Sequence, residues 1–302
     1  MKNKQKDSFT IFAPAKVNLF LHITDRLSNG YHMLDSLVAF ADIGDSIQIE
    51  PAESFSFHTK GPFANQFKTT ENSGFLDSEN LIVKAARFLS QTTDKPLNVK
   101  ITLNKNLPLS SGIGGGSSDA AATIWGLQEL WGLEHSEDYV MPIMTKLGAD
   151  VPVCFHCRPT IMRGIGDVLL PAPDMPEIPI LIINPLVSCV TQNVFLHYDG
   201  SLKNNIDLPN RFNCVHELIK TLNMTENDLF DPAITIIPEI KNVINALNAQ
   251  DSCLFSRMSG SGASCFGLFE SIEHAEKAAN KIITENPDWW VKTGFLNRPE
   301  RY

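Results

Sequence analysis

The segment Leu107-Pro-Leu-Ser-Ser-Gly-Ile-Gly-Gly-Gly-Ser-Ser-Asp-Ala-Ala121 holds the residues whose types and spacing most clearly suggest chemistry. Glycines 112, 114, 115 and 116 remove Cβ atoms from a loop that runs into a helix opening near Ser117. Backbone N–H groups there lack intrahelical partners and stand at the positive end of the helix dipole. Together with the hydroxyls of Ser117 and Ser118 they form an anion site, and phosphate is its natural occupant. A branched side chain at Gly115 is expected to fill the phosphate's space. The loop lacks the Lys-Ser/Thr ending of a Walker A motif, and Ser117 stands where a dinucleotide fingerprint has its third glycine. A plain tight connector is the competing reading. Ser259-Gly-Ser-Gly-Ala-Ser264, between two strand-like runs, reads either as a hairpin turn or as a second wall to the phosphate loop.

Three further residues gain meaning beside such a loop. The alternation from Ala15 to Ile23 puts Ala15, Val17, Leu19, Leu21 and Ile23 on one strand face and Lys16, Asn18, Phe20 and His22 on the other. Asp150 follows a helix stop at Gly148 in Gly148-Ala-Asp-Val-Pro152. Alone, each reads as a surface or capping residue. Next to transferable phosphate, a lysine and an aspartate can position and polarise a hydroxyl. Cys154-Phe-His-Cys157 resembles half of a zinc site, but no second CxxC follows, so these read as buried structural thiols and no zinc is expected. The six cysteines are too few and too irregularly spaced for a disulfide framework.

The elements that must hold these residues follow from periodicity. Phe9 to about Glu50 reads as antiparallel strands with turns at Asn29-Gly30 and Gly44-Asp45. Helices are expected over 80–89, 117–131 and 136–148, with a strand over 97–103 between the first two. The four prolines between Leu170 and Pro179 mark a linker, placing a boundary near Ala172 and dividing the chain into 1–172 and 173–302. Beyond it, strands at 180–183, 253–258, 264–269 and 289–294 alternate with helices near 191–198, 211–222, 238–249 and from Ser271. That order favours an α+β sandwich. A chain of 302 residues has room for two such cores. Its 25 basic and 34 acidic residues give a net charge of −9, which argues against nucleic acid and anionic membranes as partners. No apolar run is long enough to span a bilayer and the N-terminus lacks a signal-peptide pattern, so a soluble, cytoplasmic protein is expected.

Pro14-Ala-Lys-Val-Asn-Leu19, Asn29-Gly-Tyr-His32, Leu107 to Ala121, Gly148 to Pro152 and Ser259 to Ala263 occur in the order found in the GHMP kinases. The resemblance runs from about Phe9 to Phe295 and is strongest to the branch acting on a cytidine-diphosphate-linked methylerythritol. It implies an N-terminal domain like domain 2 of ribosomal protein S5 and a ferredoxin-like C-terminal domain. It also implies phosphorylation of that substrate's 2-hydroxyl by ATP with Mg2+. Lys16 and Asp150 match the family's catalytic pair. Asn18, Tyr31, His32 and Phe195 match the substrate side, the last three around the cytosine. Residues 112 to 118, with Pro108, match the ATP phosphate loop, and Asn80 and Lys105 lie where the family approaches the nucleotide. No metal ligand is identified; Ser117 or Ser118 is the nearest candidate. Oligomeric state is not readable from the sequence. Cys157, Arg163 and Phe230 depart from the family pattern, where a glycine and two acidic residues are usual. A kinase for homoserine, mevalonate or a sugar, and a non-catalytic nucleotide or RNA binder on the same fold, are the rival readings.

Overall fold

The computed structural model describes residues 8–66, 80–133 and 137–297. The N-terminal half is built on two long antiparallel strands, β1 (Phe9–Arg26) and β2 (His32–Pro51). A short strand β3 (Ser56–Lys60) runs parallel to β4 (Val99–Asn104), which pairs antiparallel with the end of β2. Helices α1 (Leu81–Thr93), α2 (Gly115–Trp131), α3 (Glu137–Leu147) and α4 (Asp150–His156) pack beside this sheet, and β5 (Thr160–Gly164) with β6 (Val168–Pro171) extends it along β2. The core between layers joins Ile11, Phe40, Ile47 and Ile49 to Ala120, Ala121, Ile124 and Leu127 of α2. The small residues of α2 let it lie close on β1: a Cβ at Gly126 would stand 2.4 Å from Ile11 Cδ1.

The C-terminal half contains β7 (Ile178–Asn184), α5 (Thr191–Leu196), α6 (Val215–Leu222), α7 (Phe230–Ile236), α8 (Glu239–Asn248), β8 (Phe255–Met258), β9 (Cys265–Leu268), α9 (Ile272–Glu285) and β10 (Trp290–Leu296). Its strands are ordered β10-β7-β9-β8, all antiparallel, which is the β-α-β-β-α-β ferredoxin-like arrangement. Every residue of β7 is buried, as its unbroken apolar run Ile-Pro-Ile-Leu-Ile-Ile requires. The chain is α+β throughout. The two halves share a continuous sheet, because β10 meets β2 at Leu296 and Ala41, Phe295 N–H donates to Asp42 Oδ1 at 2.6 Å, and Asn297 N–H donates to Phe40 O at 2.8 Å. Among the described residues no helix is long and apolar enough to cross a membrane.

Two expectations are corrected. Gly44-Asp45 is not a turn but lies inside β2, opposite Pro14 and Ala13. A Cβ on Gly44 would meet Ala13 O at 2.4 Å, so glycine is present because β1 approaches closely, not because the chain reverses. The alternation along β1 is also interrupted, by register shifts between Pro14 and Lys16, Asn18 and Phe20, and Ile23 and Asp25. Phe20 is therefore fully buried, and Lys16, Asn18 and His22 are buried as well.

Candidate active site

The first register shift skips Ala15 and leaves Lys16 paired with Phe40 of β2, while the Lys16 N–H donates to Ile113 O of the glycine loop at 2.9 Å. The strand and the loop are thereby pinned together. Across the cleft, Lys16 Nζ lies 2.8 Å from Asp150 Oδ2, so residues 134 positions apart form one ion pair. The lysine side chain is only 5% exposed and the aspartate 37%, which leaves the carboxylate facing the open side. Asp150 does not merely follow a helix stop. It opens α4, after Gly148 and Ala149 have redirected the chain.

The glycine loop has the φ values its composition demands, +74° at Gly112 and +64° at Gly114, the latter capping α2. The first intrahelical bond of α2 is Ser118 N–H to Gly114 O, so the N–H groups of Gly115, Gly116 and Ser117 precede the ladder. The expectation for Gly115 is corrected. Its φ is not positive, and its Cβ would point at Lys105 Nζ (3.2 Å) and Leu107, back into the protein. The tight position is Gly114, whose Cβ would stand 3.1 Å from Lys16 Cβ and 3.3 Å from Lys16 Cε. Ser117 lines the cleft, whereas Ser118 is buried with its Oγ unpartnered.

The second small-residue loop does form a wall. Ser259 Oγ accepts from Asn18 N–H at 3.1 Å and donates to Gly112 O at 3.0 Å, joining β1, the glycine loop and the β8–β9 connection through one hydroxyl. A Cβ at Gly112 would collide with Ser259 O at 2.5 Å, which explains how closely the two loops pack. Asn227 holds the second loop from below, its Nδ2 donating to Met258 O and Gly260 O, both at 2.8 Å.

Lys105 is almost wholly buried under the loop, its Nζ 2.5 Å from Asp45 Oδ2 and 2.8 Å from Asp119 Oδ2. Asp45 Oδ1 also accepts from the N–H groups of Asn106 and Leu107, fixing the start of the loop. Burial of two carboxylates against one ammonium has the expected result. Desolvation, with the Asp45 charge beside it, pushes the Asp119 carboxyl up to about 7, against the pull of Lys105, and the two aspartates hold the lysine above its ordinary value. Neither carboxylate was legible as part of the site from sequence.

A cavity of about 650 Å³ brings together Lys16, Asn18, Asp150, the loop from Pro108 to Ser117, Lys105 and Phe195. Phe195 lies 5.4 Å, ring to ring, from His32, and Tyr198 meets His32 edge-on at 6.0 Å. Burial, and then the Arg26 charge, hold the His32 imidazole below its ordinary value, and its Nε2 is buried without a partner. Tyr31 is 60% exposed and Asn80 caps α1 by accepting from Ile82 N–H; neither lines the cavity, although Leu81 beside Asn80 does. Arg163 has a clear partner in Asp35, its Nε donating to Oδ1 at 2.8 Å while Ile206 N–H donates to Oδ2. Cys157 ends α4 with a φ of +50°, the left-handed conformation that a glycine would adopt more easily. Phe230 packs partly buried in the C-terminal core. Among the described residues no three His, Cys, Asp or Glu side chains cluster as a metal site.

The GHMP kinases N terminal domain model matches residues 80–158, and the GHMP kinases C terminal model matches 206–288. A 4-diphosphocytidyl-2-C-methyl-D-erythritol kinase of Paramagnetospirillum magneticum is 43% identical over 96% of this chain and 99% of its own length. The chain belongs to that kinase family. A 4-diphosphocytidyl-2-C-methyl-D-erythritol kinase of Cereibacter sphaeroides (strain KD131) is 44% identical, covering 93% of this chain and 96% of the relative. A solved 4-(cytidine 5'-diphospho)-2C-methyl-D-erythritol kinase has a TM-score of 0.77 at 31% identity, covering 96% of this chain and all of that one. A homoserine kinase from Cytophaga hutchinsonii, at TM-score 0.69 and 17% identity over the whole of this chain and 98% of its own, shares the fold alone. In this member of the 4-diphosphocytidyl-2-C-methyl-D-erythritol kinases, the departures at Cys157, Arg163 and Phe230 all lie outside the cavity that holds Lys16 and Asp150.

Proposed function

We propose that the chain transfers the γ-phosphoryl group of ATP to the 2-hydroxyl of 4-diphosphocytidyl-2-C-methyl-D-erythritol, a step of the non-mevalonate isoprenoid pathway. The observation that carries this reading is the 2.8 Å contact between Lys16 and Asp150, facing the N–H groups at the start of α2 across one cavity. A loose phosphoryl transition state asks little of a base and much of alignment and charge stabilisation. Asp150 accepts the proton of the acceptor hydroxyl as its oxygen bonds to phosphorus and the bond to the bridging oxygen of ADP breaks. Lys16 orients Asp150 and offsets charge on the transferring group. The glycine loop from Gly112 to Ser118, with Pro108, cradles the phosphates, and Asn80 and Lys105 stand at the nucleotide side. Asn18 addresses the polyol, and Phe195, His32 and Tyr31 address the cytosine by stacking and edge contacts.

Mg2+ accompanies ATP and neutralises its phosphates. The donor set suits a metal held mainly by those phosphates, because the cavity offers the Ser117 hydroxyl and the Asp150 carboxylate but no cage of carboxylates. We further propose a cytoplasmic enzyme of two lobes divided near Ala172. The test is product analysis by mass spectrometry after incubation with ATP and Mg2+ and either the cytidine-diphospho-methylerythritol, homoserine, mevalonate or galactose. Preferential phosphorylation of the first is expected. Preference for any other removes the substrate assignment and leaves the kinase class.

A further inference from the structure

Asn18 Nδ2 donates to Ser36 Oγ at 2.9 Å, and Ser36 Oγ donates to Phe20 O at 2.5 Å. A serine hydroxyl has one proton, and here it is committed to the Phe20 carbonyl, next to the residue that the register shift between Asn18 and Phe20 skips. Ser36 can then only accept from Asn18. That settles which way the Asn18 amide is turned, since the NH2 group alone satisfies an acceptor. The amide oxygen is consequently directed away from Ser36. It is buried, in a side chain only 4% exposed as a residue, and has no hydrogen-bond partner. It lies 3.4 Å from the position a Cβ would take on Gly260, on the side of the second loop. Asn18, Ser36 and Gly260 all line the cavity that contains Lys16 and Asp150.

A buried carbonyl oxygen without a partner is a costly arrangement unless something completes it. We infer that Ser36 is a positioning residue for substrate selection: by accepting from Nδ2 it locks Asn18 to present an acceptor only, so the pocket takes a ligand that brings a hydroxyl proton to that point. A ligand presenting a carbonyl or ether oxygen there would meet oxygen against oxygen and be rejected. This inference rests on the proposed reading of Asn18 as a substrate-side residue.

The test is a double-mutant cycle with steady-state kinetics on the full chain, using the cytidine-diphospho-methylerythritol and ATP with Mg2+. Ser36→Ala should raise KM for the cytidine substrate by about 5- to 100-fold, as expected for loss of one oriented buried hydrogen bond, with KM for ATP unchanged. Asn18→Ala should do the same, and Ser36→Ala should add less than twofold in that background. Ser36→Thr, which retains the hydroxyl, should restore most of the loss. Additive effects in the double variant, or equal rises in both KM values, would overturn the inference and leave the substrate assignment standing. Failure of the wild type to phosphorylate the cytidine substrate would overturn both.

A measurement on the unaltered protein covers the case in which Ser36→Ala does not fold. With asparagine labelled with 13C and 15N, and the Asn18 signal assigned by its absence in Asn18→Ser, the side-chain 13Cγ resonance should shift on adding the cytidine substrate without ATP. Its Nδ2 protons should keep their shifts. Movement of the Nδ2 protons with a static 13Cγ means that the amide presents its donor, and the inference falls.

Discussion

Ser259→Ala removes a single oxygen that serves three segments at once. In the native protein that oxygen accepts from the buried Asn18 N–H and donates to the partly buried Gly112 carbonyl. Water does not readily replace it there, because Ser259 is itself buried where the two loops meet. A buried polar group left unpaired costs about 1–3 kcal/mol, so one buried and one partly buried group together cost about 2–4 kcal/mol. For a chain of this size that is a fall in thermal midpoint of roughly 3–6 °C. The loss is not uniform across function. Gly112 begins the proposed phosphate loop and Asn18 lies two residues from Lys16, so loosening both should lower kcat/KM for ATP by about 10- to 100-fold. Differential scanning calorimetry and initial rates at varied ATP measure the two effects, with Ser259→Thr as the hydroxyl-retaining control. A Ser259→Ala protein within 1 °C of wild type, with unchanged KM for ATP, would refute the idea that this hydroxyl ties strand and loop together.

Two other outcomes follow from the geometry beneath the loop. Because the Asp119 carboxyl is raised from its ordinary 3.8 to about 7, the folded protein holds a proton that the unfolded chain releases between these values, and stability falls as pH rises through that window. Asp119→Asn should therefore gain stability relative to wild type between pH 4.5 and 8 in urea titrations; a stability difference independent of pH would contradict this. Gly114→Ala, strained at φ +64° and crowding Lys16 Cβ at 3.1 Å, should reduce kcat by at least tenfold, whereas Gly115→Ala should chiefly lower stability by pressing on Lys105 and Leu107. Equal kinetic damage from both would show that the Cβ directions do not matter.

What could be read from the sequence, and what could not, has a physical pattern. The conformation of the glycine loop was legible because glycines beside a helix start mark a chain that turns left-handed, and Gly112 and Gly114 have the positive φ values that this calls for. Lys16 and Asp150 meet as expected, although the alternation that singled out Lys16 is broken twice within nine residues. Register shifts leave no mark in a hydrophobic pattern, so Phe20 was placed on the wrong face. Gly44 was misread because close approach and chain reversal call for the same residue. The Asp45, Lys105 and Asp119 cluster was invisible, since carboxylates 74 positions apart look like ordinary surface charges until β2, β4 and α2 converge. Ser36 was equally hidden, as were the bonds of the Ser259 hydroxyl in a loop the sequence does single out, for a serine hydroxyl announces neither its donor nor its acceptor. The short elements β3, β5, β6, α4 and α7 lacked the length that periodicity needs.

In the proposed mechanism Asp150, held by Lys16, takes the proton of the acceptor hydroxyl during phosphoryl transfer. Asp150→Asn keeps the side chain's size and leaves an oxygen for Lys16, while removing the proton acceptor. Rapid-quench single-turnover kinetics with γ-32P-labelled ATP, Mg2+ and excess enzyme measure the transfer step apart from product release, and fluorescence titration gives the ATP Kd. The transfer rate should fall by about 10²- to 10⁴-fold with ATP Kd within twofold of wild type. A wild-type transfer rate in a folded Asp150→Asn protein, or a loss that appears entirely in ATP Kd, would contradict it.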